Sequence, residues 1–308
     1  MAKSMLLKNI NKGTDYSAEF EVSPGIIELF SGLTGDYGSL HTDKAFGRRS
    51  MYRKNIVYGM LPVLFIPALK ICYANEYRCY FQKISAEFIK PVFADDRLRI
   101  ESEIAEINAE QGLVRLGYAI KNVKSNVVLT RGYFTLIYTG DAMNTKCARL
   151  RETAGYRGSM VMSSLREDDL QFNQICKDDG KDFQFLISKE CLYAYYEILT
   201  QGLLPDYRFD FSDWIAKCDA ADILANALFS TFVGMCIPGR YAIFTGFNLA
   251  FNKPIECDKK YTLAGKVGFK SESTFTLVEN MSIYGAGEQK EISASGTLKA
   301  MVHEPLFL

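Results

Sequence analysis

Histidine is scarce in this chain of 308 residues, which holds only His41 and His303. A metal site built on paired histidines is therefore not expected, and the eight cysteines form no Cys-x-x-Cys motif that could replace one. The 36 basic residues balance the 36 acidic residues, so bulk electrostatics predicts neither a nucleic-acid partner nor an anionic membrane surface.

Long hydrophobic runs and nucleotide-binding motifs are also missing. The apolar run from Ile56 to Leu69 is shorter than the about 20 residues that a membrane-spanning helix needs. Residues 1–12 hold no apolar stretch of signal-peptide type, and scattered cysteines suit a reducing compartment. A Gly-x-Gly-x-x-Gly motif after a strand and a phosphate loop are both lacking. These absences predict a cytoplasmic protein without a membrane span, metal or redox cofactor.

A candidate acid–base pair lies in the segment from Gly35 to Asp43. On one continuous helix, Asp36 and His41 would point about 140° apart, so we expect a short loop if the two act together. Gly35 and Gly38 flank the aspartate and permit a tight turn. A carboxyl and an imidazole can serve as acid and base near neutral pH. The alternative is that Asp36 caps a turn and His41 fills a polar surface notch.

The apolar run after this pair predicts a buried helix that begins near Gly59. A helix that is apolar on every side must be wrapped by the rest of its domain. Pro62 fits its first turn, whereas Pro67 predicts a kink or an early end. The N–H groups at its start, with the positive end of the helix dipole, can hold a carbonyl oxygen that gains negative charge.

Strands that could wrap this helix follow in the sequence. They are rich in β-branched and aromatic residues, and turn residues separate them. The predicted strands are Ile84–Phe93, Leu98–Ile107, Leu113–Asn122 and Val127–Thr139. One buried helix followed by an antiparallel meander predicts an α+β fold in which the sheet curls around the helix.

The same pattern occurs twice along the chain. Phe-x-Lys-Pro-[Val/Ile]-x-x-Asp at residues 88–95 recurs at residues 251–258, and Phe20–Ser23 is echoed by Phe185–Ser188. Gly59-Met60 has a counterpart in Gly234-Met235, at the end of a second predicted apolar helix. The chain is therefore read as an internal duplication. We expect an N-terminal repeat at 1–140, a connector at 141–182 and a C-terminal repeat at 183–308.

The second repeat lacks the acid–base pair. At the offset between the repeats, Asp36 corresponds to Gln201 and His41 corresponds to Asp206. His303 lies near the end of the chain, where a solvated side chain is expected. We therefore expect one half to perform chemistry and the other to support it.

The motif Gly-Asp-x-x-x-x-His-x-Asp, followed by Ile-Val-x-Gly-Met-Leu, resembles the MaoC-like hydratases and dehydratases of the hot-dog fold. The resemblance is close over residues 30–64 and weaker over both halves. It implies a double hot-dog protein that reversibly hydrates trans-2-enoyl thioesters of coenzyme A or acyl carrier protein, in fatty acid or polyketide metabolism. Asp36 and His41 would be catalytic, and the Gly59 N–H would bind the thioester carbonyl. The resemblance also implies that four residues shape the acyl pocket: Ile56, Val57, Met60 and Leu61.

The chain departs from the family pattern at two places. Gly38-Ser39 stands where the family has Asn-Pro, and Tyr58 stands where it has a histidine before Gly-Met. Ser39 is a candidate to replace part of the asparagine's hydrogen bonding, although a solvated loop serine explains it equally well. Tyr58 is expected to alter the acyl pocket.

A basic cluster between the pair and the helix is a candidate partner for the carrier. Arg48 and Arg49, followed by Arg53-Lys54, could meet coenzyme A phosphates or an acidic carrier protein, and a solvated loop is the alternative. Two other functions also stay open: a thioesterase on the same fold and a non-catalytic acyl-thioester-binding protein. Pairing of two chains into a homodimer is a further possibility.

Overall fold

The computed structural model describes residues 7, 10–73, 77–142, 158–203, 220–285, 287 and 291–302. Within these ranges no helix is both long and apolar enough to cross a membrane. Asp206 and His303, for which the sequence analysis made predictions, lie outside the described residues.

The N-terminal half holds one strand, a series of short helices and then four strands. In chain order these are β1 (Asp15–Glu21), α1 (Pro24–Thr34), α2 (Ser39–Thr42), α3 (Lys44–Arg49), α4 (Met60–Val63), α5 (Ile66–Tyr73), β2 (Tyr77–Phe88), β3 (Arg97–Asn108), β4 (Leu113–Asn122) and β5 (Val128–Ala142).

The C-terminal half repeats this order of a strand, helices and four strands. Its elements are a 3₁₀ turn (Phe172–Gln174), β6 (Gly180–Leu186), α6 (Lys189–Gly202), α7 (Ala220–Thr231), a π-helical segment (Phe232–Cys236), β7 (Ala242–Phe251), β8 (Lys260–Ser271), β9 (Thr276–Gly285) and β10 (Ile292–Val302).

All ten strands form one antiparallel sheet in the order β1-β3-β4-β5-β2-β7-β10-β9-β8-β6. The second half of this order mirrors the first, and β2 pairs with β7 at the centre, with Ala86 opposite Phe247. Alternate residues of the strands are buried, and every residue of α7 is buried. The two predicted repeats therefore share one continuous sheet and one core.

Equivalent local structures mark the duplication in both halves. Ser23 and Ser188 are each the N-cap of the helix that follows the first strand of their half. Asp95 and Asp258, the last residues of the repeated Phe-x-Lys-Pro motif, both have positive φ angles of 67° and 59°. Each aspartate donates its N–H to the residue just before the N-cap serine, at 2.8 and 2.9 Å. The repeated motif is therefore a repeated turn.

The predicted apolar helix begins at Gly59 and is interrupted at residues 64–65, between α4 and α5. Pro67 explains the interruption because it has no N–H for the carbonyl of Val63, and its ring would crowd that carbonyl. The predicted effect of Pro67 is confirmed. Residues 60–66 are fully buried, as expected for a helix that is apolar on all sides.

The predicted bounds of the first strand after this helix were wrong. Strand β2 runs from Tyr77 to Phe88 rather than from Ile84 to Phe93, so it begins seven residues earlier and ends five residues earlier than predicted. After Phe88 the regular ladder ends: the N–H groups of Ile89 and Lys90 both donate to the Leu129 carbonyl, and the Val92 carbonyl then accepts from the N–H of Val57 at 2.8 Å. Pro91 lacks the N–H that a continued ladder would need.

Candidate active site

Asp36 lies two residues beyond Thr34, the last residue of α1. Gly35 ends that helix with a φ of 69°, and its N–H donates to the Ser31 carbonyl at 2.9 Å. Glycine adopts this left-handed conformation without the steric cost of a Cβ. The reversal turns the chain inward, and Asp36 is fully buried.

His41 lies on α2, so the expectation that it sits on a loop was wrong. The carbonyl of Gly38 accepts from the N–H groups of His41 and Thr42, at 2.9 and 3.2 Å, and these bonds close one helical turn. Asp36 can still meet His41 because it precedes this turn. The two side chains therefore need not point about 140° apart, as they would if both lay on one continuous helix.

The tautomer of His41 follows from its hydrogen bond. Its Nδ1 lies 2.9 Å from the carbonyl oxygen of Ile56, which can only accept. Nδ1 therefore carries the proton in the neutral ring, and Nε2 keeps a lone pair. The ring is half-buried and borders a cavity. This arrangement suits a general base.

Asp36 and His41 converge around Gly38. A Cβ placed on Gly38 would lie 3.3 Å from Asp36 Oδ1 and 3.5 Å from His41 Cδ2. Burial raises the pKa of Asp36, and the same burial lowers the pKa of His41. Both shifts disfavour the charged forms of these two groups.

Tyr58 supports the pair from behind. Its hydroxyl donates to the backbone carbonyl of Asp36 at 2.8 Å and lies 2.7 Å from Ser31 Oγ. Its ring centroid is 4.1 Å from that of His41. Tyr58 is fully buried and thus fixes both members of the pair from the side away from the cavity.

The second half supplies contacts to Asp36 that sequence reasoning missed. Ser230, on α7, donates its hydroxyl to Asp36 Oδ2 at 2.9 Å, across 194 positions of sequence. A Cβ on Gly234 would lie 3.0 Å from Asp36 Oδ1, so the lack of a side chain there makes room for the carboxyl group. In the sequence, the one feature that pointed to this region was the correspondence between Gly234-Met235 and Gly59-Met60.

A cavity of about 230 Å³ lies between the two halves beside this pair. The first half contributes His41, Tyr52, Ile56, Val57, Gly59 and Phe88 to its lining. The second half contributes Ser230, Val233, Gly234, Ile243, Phe244 and Met301. Asp36 lies just behind this lining, where Ser230 contacts it. A larger depression of about 530 Å³, lined by residues such as Lys83 and Tyr133, includes neither member of the pair.

The other predicted site residues are distributed around the cavity rather than gathered in it. Met60 and Leu61 are fully buried in the core. Ser39 faces away, with its N–H 2.6 Å from Glu167 Oε1. Arg48 and Arg49 are exposed on α3, just before the cavity residue Tyr52.

Comparisons with known proteins agree with this architecture. Residues 6–125 match the family model of the MaoC like domain. No curated protein has a sequence that matches this chain.

Three solved structures illustrate the similarity. A MaoC-like dehydratase has a TM-score of 0.67 at 12% identity, with 97% of this chain and 100% of that chain covered. A conserved hypothetical protein of Mycobacterium tuberculosis, described as a double hotdog fold, has a TM-score of 0.66 at 10% identity, with 97% and 98% covered. A protein from Lactobacillus plantarum, provisionally named an oleoyl thioesterase, has a TM-score of 0.52 at 9% identity, with 96% and 98% covered.

The similar structures share the fold of this chain along nearly its whole length. The match to the family model covers most of the first half. The predicted resemblance and the predicted α+β fold class are both confirmed: the chain carries a MaoC-like domain at residues 6–125 and has the double hot-dog fold.

Proposed function

We propose that this protein catalyses the reversible hydration of trans-2-enoyl thioesters at a single site shared by its two halves. The observation that carries the proposal is the convergence of Asp36 and His41, next to a cavity that the N-terminus of a buried helix also borders. Hydration of an enoyl thioester needs a base for water, a proton for C2 and a stabilised enolate oxygen. This site offers one group for each need.

In the hydration direction, His41 acts as the base. Its Nε2 lone pair takes a proton from water as the water oxygen bonds to C3 of the substrate. The electrons of the C2=C3 double bond move toward the thioester, whose carbonyl oxygen becomes an enolate oxygen. Because burial lowers its pKa, the imidazole stays in its basic form at more acidic pH than a free histidine.

Asp36 and Gly59 complete the reaction. Asp36, whose pKa burial raises, holds the proton that passes to C2, and the protonated His41 then returns a proton to Asp36. The Gly59 N–H is among the first N–H groups of α4, which lack partners within the helix, and it receives the enolate oxygen. Dehydration of a 3-hydroxyacyl thioester follows the same steps in reverse.

A thioesterase is the alternative that a fold neighbour suggests, since one similar structure bears that provisional name. Thioester hydrolysis needs attack of water at the carbonyl carbon, whereas hydration needs attack at C3 and a proton donor for C2, which is the role proposed for Asp36. The family of MaoC-like domains includes enoyl-CoA hydratases and dehydratases, which favours hydration.

The decisive experiment supplies crotonyl-CoA and longer trans-2-enoyl-CoA substrates to the purified protein. We expect loss of the enoyl-thioester absorbance, gain of one water by mass spectrometry and no free thiol. Release of thiol without loss of the double bond would favour the thioesterase. Tight binding of the thioester without turnover would favour an acyl-binding protein.

The exposed arginines of α3 are proposed to bind the carrier's phosphates. Replacing both, as Arg48→Glu with Arg49→Glu, is expected to raise KM for an enoyl-CoA about 10-fold, because opposite charges attract and like charges repel. KM for the matching pantetheine thioester, which lacks the nucleotide phosphates, should stay unchanged. Lys124→Glu, in the turn between β4 and β5, is the control. Equal effects on both thioesters would contradict phosphate binding.

Aromatic rings along the cavity are proposed to limit the acyl chain. The Phe88 ring contacts the Phe244 ring in a tilted arrangement, with centroids 4.9 Å apart, and it lies against Gly59. The cavity is also smaller than the roughly 300 Å³ at which drug-sized pockets begin. We expect a preference for short enoyl groups, and we expect Phe244→Ala to raise the ratio of kcat/KM for octenoyl-CoA over crotonyl-CoA about 10-fold. Phe269→Ala, at an exposed position on β8, should leave that ratio unchanged.

A further inference from the structure

Glu167 joins the His41 helix to the C-terminal half. Its Oε1 accepts from the backbone N–H of Ser39 at 2.6 Å, and its Oε2 accepts from the Ser39 hydroxyl. Ser39 is the first residue of α2, whose N-cap, Gly38, has no side chain to offer. The carboxylate therefore caps this helix from 128 positions away in sequence.

Arg240 holds Glu167 in place. Its Nε donates to Glu167 Oε2 and its Nη1 donates to Asp169 Oδ2, each at 3.1 Å. The Glu167 side chain keeps only 12% of its surface exposed, so its carboxylate is better shielded from solvent than that of a typical surface ion pair.

The backbone around this carboxylate is anchored next to the π-helical segment. Asp168 donates its N–H to the Met235 carbonyl at 3.2 Å and accepts from the Arg240 N–H at 2.9 Å. Gly239, at a φ of 86°, lies so close that a Cβ there would come within 2.4 Å of the Asp168 carbonyl oxygen. The residue after Glu167 is thus held by two backbone hydrogen bonds, one of them to Met235, the neighbour of Gly234.

We propose that Glu167, clamped by Arg240, is a positioning residue that holds α2 so that His41 faces Asp36. It occupies the role that the Gly38-Ser39 departure leaves open, because it accepts hydrogen bonds from both donors of Ser39, the backbone N–H and the hydroxyl. The catalytic consequence rests on the hydratase function proposed above. The geometric consequence, the placement of the His41 imidazole, does not depend on that function.

The charge of Glu167 can be tested through the pKa of His41, which is a measurement separate from protein stability. Three groups face His41 electrostatically: Asp36 from the preceding loop, Glu167 from the connecting segment and the Ile56 carbonyl. Glu167 raises the pKa of His41 against the effect of burial, so removal of its charge should lower that pKa. A residue that only stabilised the fold would leave the titration of His41 unchanged.

The test follows His41 by NMR of the full chain labelled at histidine. The sequence has only two histidines, so a His303→Gln variant assigns the signals. In Glu167→Gln we expect His41 to titrate at lower pH than in the wild type. Asp178→Asn is the control. Asp178 lies in the same connecting segment as Glu167 and forms an exposed ion pair with Lys266 on β8, so its replacement should leave the titration of His41 unchanged.

Turnover of crotonyl-CoA gives a second readout. Glu167→Ala is expected to lower kcat about 10- to 100-fold with little change in KM, because small misplacements of a catalytic group are costly. Glu167→Gln should recover part of this loss, since its carbonyl oxygen can still accept from Ser39. Arg240→Lys, which keeps the charge but loses the paired contacts, should fall between wild type and Glu167→Ala.

An unchanged His41 titration in Glu167→Gln would overturn the proposal, as would loss of folding in both Glu167 variants. If the wild type does not hydrate any enoyl thioester, the proposed function fails, while the NMR titration still decides the role of Glu167.

Discussion

Asp36→Asn and His41→Gln are each expected to lower kcat/KM for crotonyl-CoA by about 10²- to 10⁴-fold, the usual contribution of a positioned acid or base. Asparagine keeps the shape of Asp36 and can still accept from the Gly38 N–H, but it has no proton to give to C2. Glutamine can keep the hydrogen bond to the Ile56 carbonyl, but it has no basic lone pair at the Nε2 position.

The pH profile gives this prediction a second signature. The active form has a neutral His41, so activity should fall as pH drops through the pKa of His41, which burial lowers. It also has a protonated Asp36, so activity should fall as pH rises through the pKa of Asp36, which burial raises. His41→Gln should remove the acidic limb from whatever activity remains.

The thermal stability of Asp36→Asn shows whether a loss of activity comes from unfolding or from the loss of the catalytic group. The pKa of Asp36 is higher in the folded protein than in the unfolded chain, so this group destabilises the fold increasingly as pH rises above about 3.9, the value for a free aspartate. Asp36→Asn removes that effect, and its Tm at pH 7 should equal or exceed that of the wild type. Gln201→Ala, at the corresponding position of the second half, is the matched control and should keep full activity.

The contact between the two halves at Asp36 carries the second large effect. Gly234→Ala is expected to lower kcat for crotonyl-CoA about 10²-fold, because its methyl group would lie 3.0 Å from Asp36 Oδ1 and push the carboxyl group aside. Ser230→Ala should lower kcat about 10-fold by removing the hydroxyl that donates to Asp36 Oδ2. It should also raise the pKa of Asp36 further, since that hydrogen bond favours the charged form.

A second glycine provides the control for this experiment. Gly32, inside α1, has no atom within 4 Å of the position its Cβ would take. Gly32→Ala should therefore keep full activity and stabilise the helix by up to about 1 kcal/mol. If Gly234→Ala were as active as Gly32→Ala, the second half would have no role in placing Asp36.

Local patterns predicted most of the fold. The buried helix start at Gly59 and the interruption associated with Pro67 follow from the chemistry of single residues, and the repeated turns at Asp95 and Asp258 follow from one repeated motif. The helical turn of α2 was missed because it is a single turn, and nothing within four residues supplies a side-chain cap for it. Glu167, which caps this turn, lies in a polar stretch whose sequence lacks the hydrophobic periodicity of a helix or a strand.

The sequence by itself predicted the pair Asp36 and His41, the apolar helix that follows them and the duplication of the chain, because each depends on residues that are close neighbours or recur in a second, similar segment. The tertiary structure alone decided what surrounds the pair. Ser230, Gly234 and Glu167 reach Asp36 and Ser39 from more than 120 positions away, and no spacing rule connects them. Only the packing of the two halves on one sheet brings Ser230 and Glu167 within hydrogen-bonding distance of their partners, places Gly234 against Asp36, and buries the Asp36 carboxyl group, which raises its pKa.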